Sequence, residues 1–233
     1  MDNQGGSDFD AYRTSYKATV NEAISFSGLK VDFFTKAKAV RLVDLLSNEL
    51  GDPKELSVLD VGCGVGAYHP LLRGQVGKVT GIDPSLECIE EAKINSPDVT
   101  YEQYDGSVMP FAEGQFDASF AICVMHHVPP KRWASFVSEM ARVVRPGGLV
   151  VIFEHNPFNP LTRRAVNTCP FDADAVLLTK RTTTRFLQNA SLADVEGKYI
   201  LTIPAIDGAA LAVDKLFGIL PLGAQYFVHG RVK

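Results

Sequence analysis

The stretch Ser57-Val58-Leu59-Asp60-Val61-Gly62-Cys63-Gly64-Val65-Gly66 decides how this chain is read. A short run of branched apolar residues, broken by one carboxylate, leads straight into alternating glycines. The run has the length and composition of a buried strand. Glycines directly after it allow positive φ and let the backbone come close to a ligand. The helix expected beyond that turn offers free N–H groups at its start.

Working outward, the same rhythm repeats. Strand-like runs occur at 78–82, 99–104, 116–123 and 149–154. Between them lie two helical patterns. One is opened by Pro84 and continues through Glu87, Ile89, Glu90 and Ala92; the other covers 131–144. Short apolar strands alternating with helices predict a parallel sheet covered on both faces. Upstream, helical patterns cover about 9–25 and 32–49, the second closed by Gly51-Asp52-Pro53. Downstream, residues 155–180 carry Pro157, Pro160 and Pro170 and read as a long excursion. Thr182 or Thr183 is the expected cap of a helix through Arg185, Phe186 and Leu187. Strands at 199–203 and 225–228 flank an apolar helix near 208–217.

Composition fits a soluble α/β protein of one structural domain. Of 233 residues, 46% are apolar and 21% charged, and 23 basic residues against 27 acidic leave a net charge of −4. An acidic balance argues against nucleic acid, whose phosphates require a basic face. The four cysteines, Cys63, Cys88, Cys123 and Cys169, include no CxxC pair, so neither a disulfide framework nor a zinc site is expected. Their scatter and the polar first residues point to a cytoplasmic protein with no membrane span.

Three carboxylates refine the glycine turn. Gly62, Gly64 and Ala67 also satisfy the dinucleotide pattern GxGxxG/A, so a nicotinamide-dependent oxidoreductase is one reading. Asp60 stands two residues before the first glycine, where it suits an ammonium group and would repel a pyrophosphate. Asp83, at the end of the second strand, is placed to accept from ribose hydroxyls under either cofactor. Asp105, read as closing the third strand, is placed to accept from an exocyclic amine.

The series DVGCGVG (60–66), GIDPS (81–85), DGSVMPF (105–111), FDASFAICVMHHV (116–128) and RVVRPGGLVVIFEHNP (142–157) resembles class I S-adenosylmethionine-dependent methyltransferases in order and spacing. The resemblance implies a Rossmann-like, doubly wound α/β sheet of seven strands, mostly parallel with the last antiparallel. It implies residues 1–50 as an N-terminal helical lid, with Tyr12, Tyr16 or Phe34 facing the cofactor, and 51–233 as the catalytic fold. It further implies S-adenosylmethionine held by Asp60, Gly62, Cys63 and Gly64 at the methionine end. Asp83 would hold the ribose, with Ile82 and Pro84 beside the adenine. Asp105 and Gly106 would meet the adenine edge, and Ile122 and Cys123 would offer backbone groups to the amino-acid moiety. The acceptor is expected to be a small molecule methylated on oxygen, nitrogen or carbon. Asn156-Pro157-Phe158 partly matches the NPPY motif of nucleic-acid amino-methyltransferases, but it follows the fifth strand rather than the fourth.

At the substrate end, His127 and His155 are the candidate general bases and Glu154 the third. Adjacent histidines on regular backbone point apart, so His126-His127 is not expected to bind metal. Cys63 and Cys123 read as small packing residues. A non-catalytic protein that keeps the fold as an interaction module is the remaining alternative, and monomer and homodimer both stay open.

Overall fold

The computed structural model describes residues 16–233, and the expected placement of Tyr12 and of the Tyr16 side chain over the cofactor lies outside what it describes. Seven strands form one sheet: β1 (Ser57–Val61), β2 (Lys78–Asp83), β3 (Thr100–Gln103), β4 (Phe116–Ile122), β5 (Val144–His155), β6 (Ala193–Ile200) and β7 (Gln225–Arg231). Their order is β3-β2-β1-β4-β5-β7-β6. The first five pair in parallel, while β7 runs antiparallel between β5 and β6.

Strands buried on both faces explain the unbroken apolar runs. Along β5, Leu149, Val151 and Phe153 face one core with Val58, Phe120 and Ile122, whereas Val150 and Ile152 face the other with Leu59, Val61 and Ile82. The first core is sealed by α2 (Val31–Leu50), which presents Leu42 and Leu46 at 0% exposure. The second is sealed by α5 (Trp133–Arg142) and α7 (Lys180–Asn189), through Val137, Met140 and Leu187. The other helices are α1 (Tyr16–Ala23), α3 (His69–Leu72), α4 (Leu86–Asn95), α6 (Pro160–Thr168) and α8 (Gly208–Leu216).

Several expected boundaries move, each for a local reason. Pro84 precedes α4 rather than opening it, because the Ser85 hydroxyl accepts from the Cys88 N–H (3.2 Å) and takes the cap. Thr179, not Thr182 or Thr183, caps α7 by accepting from the Thr182 N–H at 3.1 Å. The strand expected at 199–203 is β6, which starts at Ala193. Its charged residues alternate outward and hide it from a reading based on apolar runs. β3 ends at Gln103, so Asp105 lies in the loop beyond it. The helix after the glycine turn is one turn long, so it offers no extended array of N–H groups.

A buried ion pair ties α2 to α8. Asp214 on α8 is fully buried; it pairs with Arg41 of α2 and accepts from the N–H groups of Leu201, Thr202 and Ile203. The irregular stretch after β6 is thereby fastened to the helix that covers β5.

Candidate active site

Two corners meet along the carboxyl edge of the parallel strands, the edge where open α/β sheets bind ligands. The first is the turn after β1. Gly62 and Cys63 donate to the Ile82 carbonyl (2.8 and 3.0 Å), which presses the turn onto β2. Gly62, Gly64 and Gly66 all have positive φ, at 76°, 50° and 71°. A side chain on Gly62 would run into Val124, whereas one on Gly64 would enter open space. Gly64 thus faces open space rather than protein, and its N–H donates to Asp83 Oδ2 at 2.8 Å. The other Asp83 oxygen accepts from the Ser85 N–H at 2.9 Å.

Asp60 is 2% exposed and accepts from His69 Nε2 at 3.0 Å, while His69 Nδ1 meets the Tyr101 hydroxyl at 2.5 Å. Burial raises the Asp60 carboxyl above its ordinary range, against the pull of His69. The row Asp60–His69–Tyr101 lies beneath the turn, and Gly81 lacks a side chain because a Cβ there would strike Cys63, His69 and Tyr101. Asp60 therefore sits beneath the turn, with its carboxylate directed to His69. His69 and Tyr101 were missed in the sequence, although a histidine three residues past the last glycine is a usable signal.

Asp105 is exposed and folds its loop with its own carboxylate, accepting from the N–H groups of Ser107 (2.7 Å) and Val108 (3.3 Å). Arg132 holds the same loop through the Gly106 carbonyl and the Ser107 hydroxyl. Ile82 is fully buried in the core next to the turn, and Pro84 lies under the open face of Gly106, 3.6 Å from where a Cβ would sit.

The second corner follows β4 and β5. Cys123 takes a left-handed backbone conformation (φ 58°) just past Ile122. Its sulfur accepts from the Lys38 ammonium at 3.4 Å and lies 3.8 Å from the Gln225 amide nitrogen. Burial disfavours its thiolate, but the Lys38 ammonium and His155 outweigh that and bring the thiol down to about 7. It is not the inert packing residue the sequence indicated, unlike Cys63, whose thiol burial pushes well up. Lys38 comes from α2, is 6% exposed and packs over the Tyr68 ring. It falls on the apolar stripe with Ala37, Leu42 and Leu45, the one hint of it in the sequence.

The expected bases separate. Glu154 is 1% exposed and committed: it accepts from His126 Nδ1 at 2.5 Å and from the His126 N–H at 3.2 Å. Burial opposes its charge, yet His126 still holds it below the usual carboxylate range. Burial, together with the neighbouring His126, lowers His127 to about 4, which keeps it neutral but makes it a weak base. His155 is half-buried, with Nδ1 3.4 Å from the Gln225 amide and its ring 5.1 Å from that of His126. Nor do the adjacent histidines point apart. The short 3-10 turn at Met125–His127 brings their ring centres within 4.1 Å.

A family model described as a methyltransferase domain matches residues 59–152, the span from β1 to β5. Over that span the chain is similar to a methyltransferase domain. A curated methyltransferase of Synechocystis is 36% identical over 103 residues, covering 44% of this chain and 49% of the relative. The 2-methyl-6-phytyl-1,4-hydroquinone methyltransferase of the same organism is 37% identical over 108 residues, covering 45% and 33%. This chain thus aligns with half or less of the length of either relative. Among solved structures, a methyltransferase from Thermotoga maritima superposes with a TM-score of 0.71 at 15% identity, over 99% of this chain and 100% of that one. The phosphoethanolamine N-methyltransferase 2 of Haemonchus contortus gives 0.59 at 16%, over 82% and 52%. The sheet also disfavours the dinucleotide reading, since that fold continues past its fifth strand in parallel, whereas here antiparallel β7 lies beside β5. No described helix is long and apolar enough to cross a membrane.

Proposed function

We propose that this chain transfers a methyl group from S-adenosylmethionine to a small-molecule acceptor in the cleft above β1, β2, β4 and β5. The observation that carries this reading is the glycine turn whose Gly64 faces open space and is tied by its N–H to Asp83, inside the span that matches the methyltransferase domain. When bound, the cofactor supplies a methyl group already activated by its sulfonium. What the chain adds is position, and near-attack placement of two reactants is worth up to roughly 7–11 kcal/mol.

In this reading the Gly62–Gly66 turn and the Cys123 backbone receive the methionine end. Asp83 takes the ribose hydroxyls, and the loop of Asp105 and Gly106, braced by Arg132, borders the adenine with Pro84, while Ile82 packs beneath them in the core. Asp60 acts as a positioning residue through His69. Of the three expected bases, His155 is the one left to take a proton from an acceptor hydroxyl. Glu154 is spent on His126, and His127 is too weakly basic near neutral pH. An acidic surface balance favours a small acceptor over nucleic acid, and the free cysteines fit a reducing cytoplasm.

Calorimetry of the full chain tests this directly. S-adenosylhomocysteine is expected to bind near micromolar affinity, about −8 kcal/mol, and NADH to give no heat. Saturable NADH binding without S-adenosylhomocysteine binding would overturn the proposal.

A further inference from the structure

The groups around His126 go beyond what methyl transfer by positioning requires. His126 Nε2 and His127 Nε2 each lie 3.5 Å from one oxygen, Asp172 Oδ1, although Asp172 comes from the proline-rich excursion far along the chain. The donor atoms of these three residues lie within 4.8 Å of one another. At 3.5 Å the contacts are longer than the 2.7–3.2 Å of good hydrogen bonds. They do match the spacing of ligands on one ion. Donors about 2.0–2.1 Å from a tetrahedral centre stand roughly 3.3 Å apart.

The surroundings hold the three groups in place. His126 Nδ1 donates to Glu154 at 2.5 Å, which orients the ring so that Nε2 faces Asp172. Asp174 stands 3.7 Å behind His127 Nδ1. The excursion is pinned at the spot by backbone, since the Val176 N–H donates to the His126 carbonyl at 2.9 Å. A histidine between two carboxylates can satisfy itself with a proton. That does not account for a second imidazole delivered to the same oxygen.

We infer that His126, His127 and Asp172 bind a divalent first-row transition-metal ion of the zinc class, with Glu154 as the positioning residue behind His126. Two imidazoles and one carboxylate suit zinc or iron(II) better than magnesium or calcium, which prefer all-oxygen shells. Three protein ligands also leave a coordination position open, as catalytic rather than closed structural sites do. None of this depends on the cofactor reading.

Zinc itself is the probe. The full chain, stripped by chelator and dialysed, is titrated with Zn²⁺ against a chromophoric chelator, with no cofactor added. One equivalent is expected for the unaltered chain. Asp172→Asn and His127→Ala should each weaken binding by at least about 100-fold, and Glu154→Gln by roughly 10–100-fold. His229→Ala, outside the cluster, should bind like the unaltered chain. Cobalt(II) at one equivalent should show visible absorption that Asp172→Asn lacks. Absence of stoichiometric zinc binding by the unaltered chain would overturn the inference, as would binding by Asp172→Asn within about threefold of it. Should that variant fail to fold, His127→Ala is held to the same criterion.

Discussion

The two corners of the cleft are built in different ways. At the β1–β2 corner, the groups come from strand ends and the turns that follow them, with Gly62, Gly64 and Asp83 inside one βαβ unit. At the β4–β5 corner, Cys123, His126 and His155 sit on adjacent strand ends but are completed by Lys38 from α2 and by Asp172 and Gln225 from downstream. The first corner is local chemistry, written where the backbone needs it. The second is assembled by tertiary packing, and its properties belong to the assembly.

That difference can be tested by perturbing each corner. The largest expected effect is at the brace under the glycine turn. His69→Ala leaves the Asp60 carboxyl and the Tyr101 hydroxyl buried without their shared partner, at about 1–3 kcal/mol for each stranded group. Urea unfolding should lose about 2–5 kcal/mol, with partial recovery in His69→Gln. A loss below about 0.5 kcal/mol would mean that the row contributes nothing to holding the turn.

Next in size is the ribose contact. Asp83→Ala should weaken S-adenosylhomocysteine by about 1.5–3 kcal/mol, the range for hydrogen bonds to a charged group. Because Asp83 also holds the Gly64 N–H, part of that loss is loosening of the turn, which Asp83→Asn should recover in part. Identical affinity in Asp83→Ala would remove the residue from the cofactor site.

The smallest effect is the most specific to the second corner. Alkylation of Cys123 by iodoacetamide should rise with pH through a midpoint of about 7, because thiolate is the reactive form. Lys38→Met should move that midpoint upward, since burial then acts with less opposition. Cys63, and Cys169 at about 11, should stay slow over the same range. A midpoint near the ordinary thiol value in the unaltered chain would show that Lys38 and His155 do not act on Cys123.

The same contrast explains what the sequence revealed. Val58-Leu59 and the glycines after them need only their own backbone to be read, so the sheet and the turn were both foreseen. Asp60 is legible at the strand end, but its partner His69 is not, because it sits on a one-turn helix that no periodicity marks. Asp172 lies amid prolines, and nothing in its spacing links it to His126. Only the fold brings them together. Cys123 carries no mark of its reactivity in the sequence, because its thiol's environment is set by Lys38, 85 residues away in the chain.

One measurement bears on whether the two corners form a single cofactor site. Cys123 in the full chain is alkylated at pH 7.5, with and without saturating S-adenosylhomocysteine, and followed by mass spectrometry. A ligand seated on the Gly64 turn and reaching the Cys123 backbone should slow that reaction by about tenfold or more. The protection should need correspondingly more ligand in Asp83→Ala, in line with its loss of about 1.5–3 kcal/mol. Alkylation at the same rate with the ligand bound and the site saturated would contradict a shared cleft.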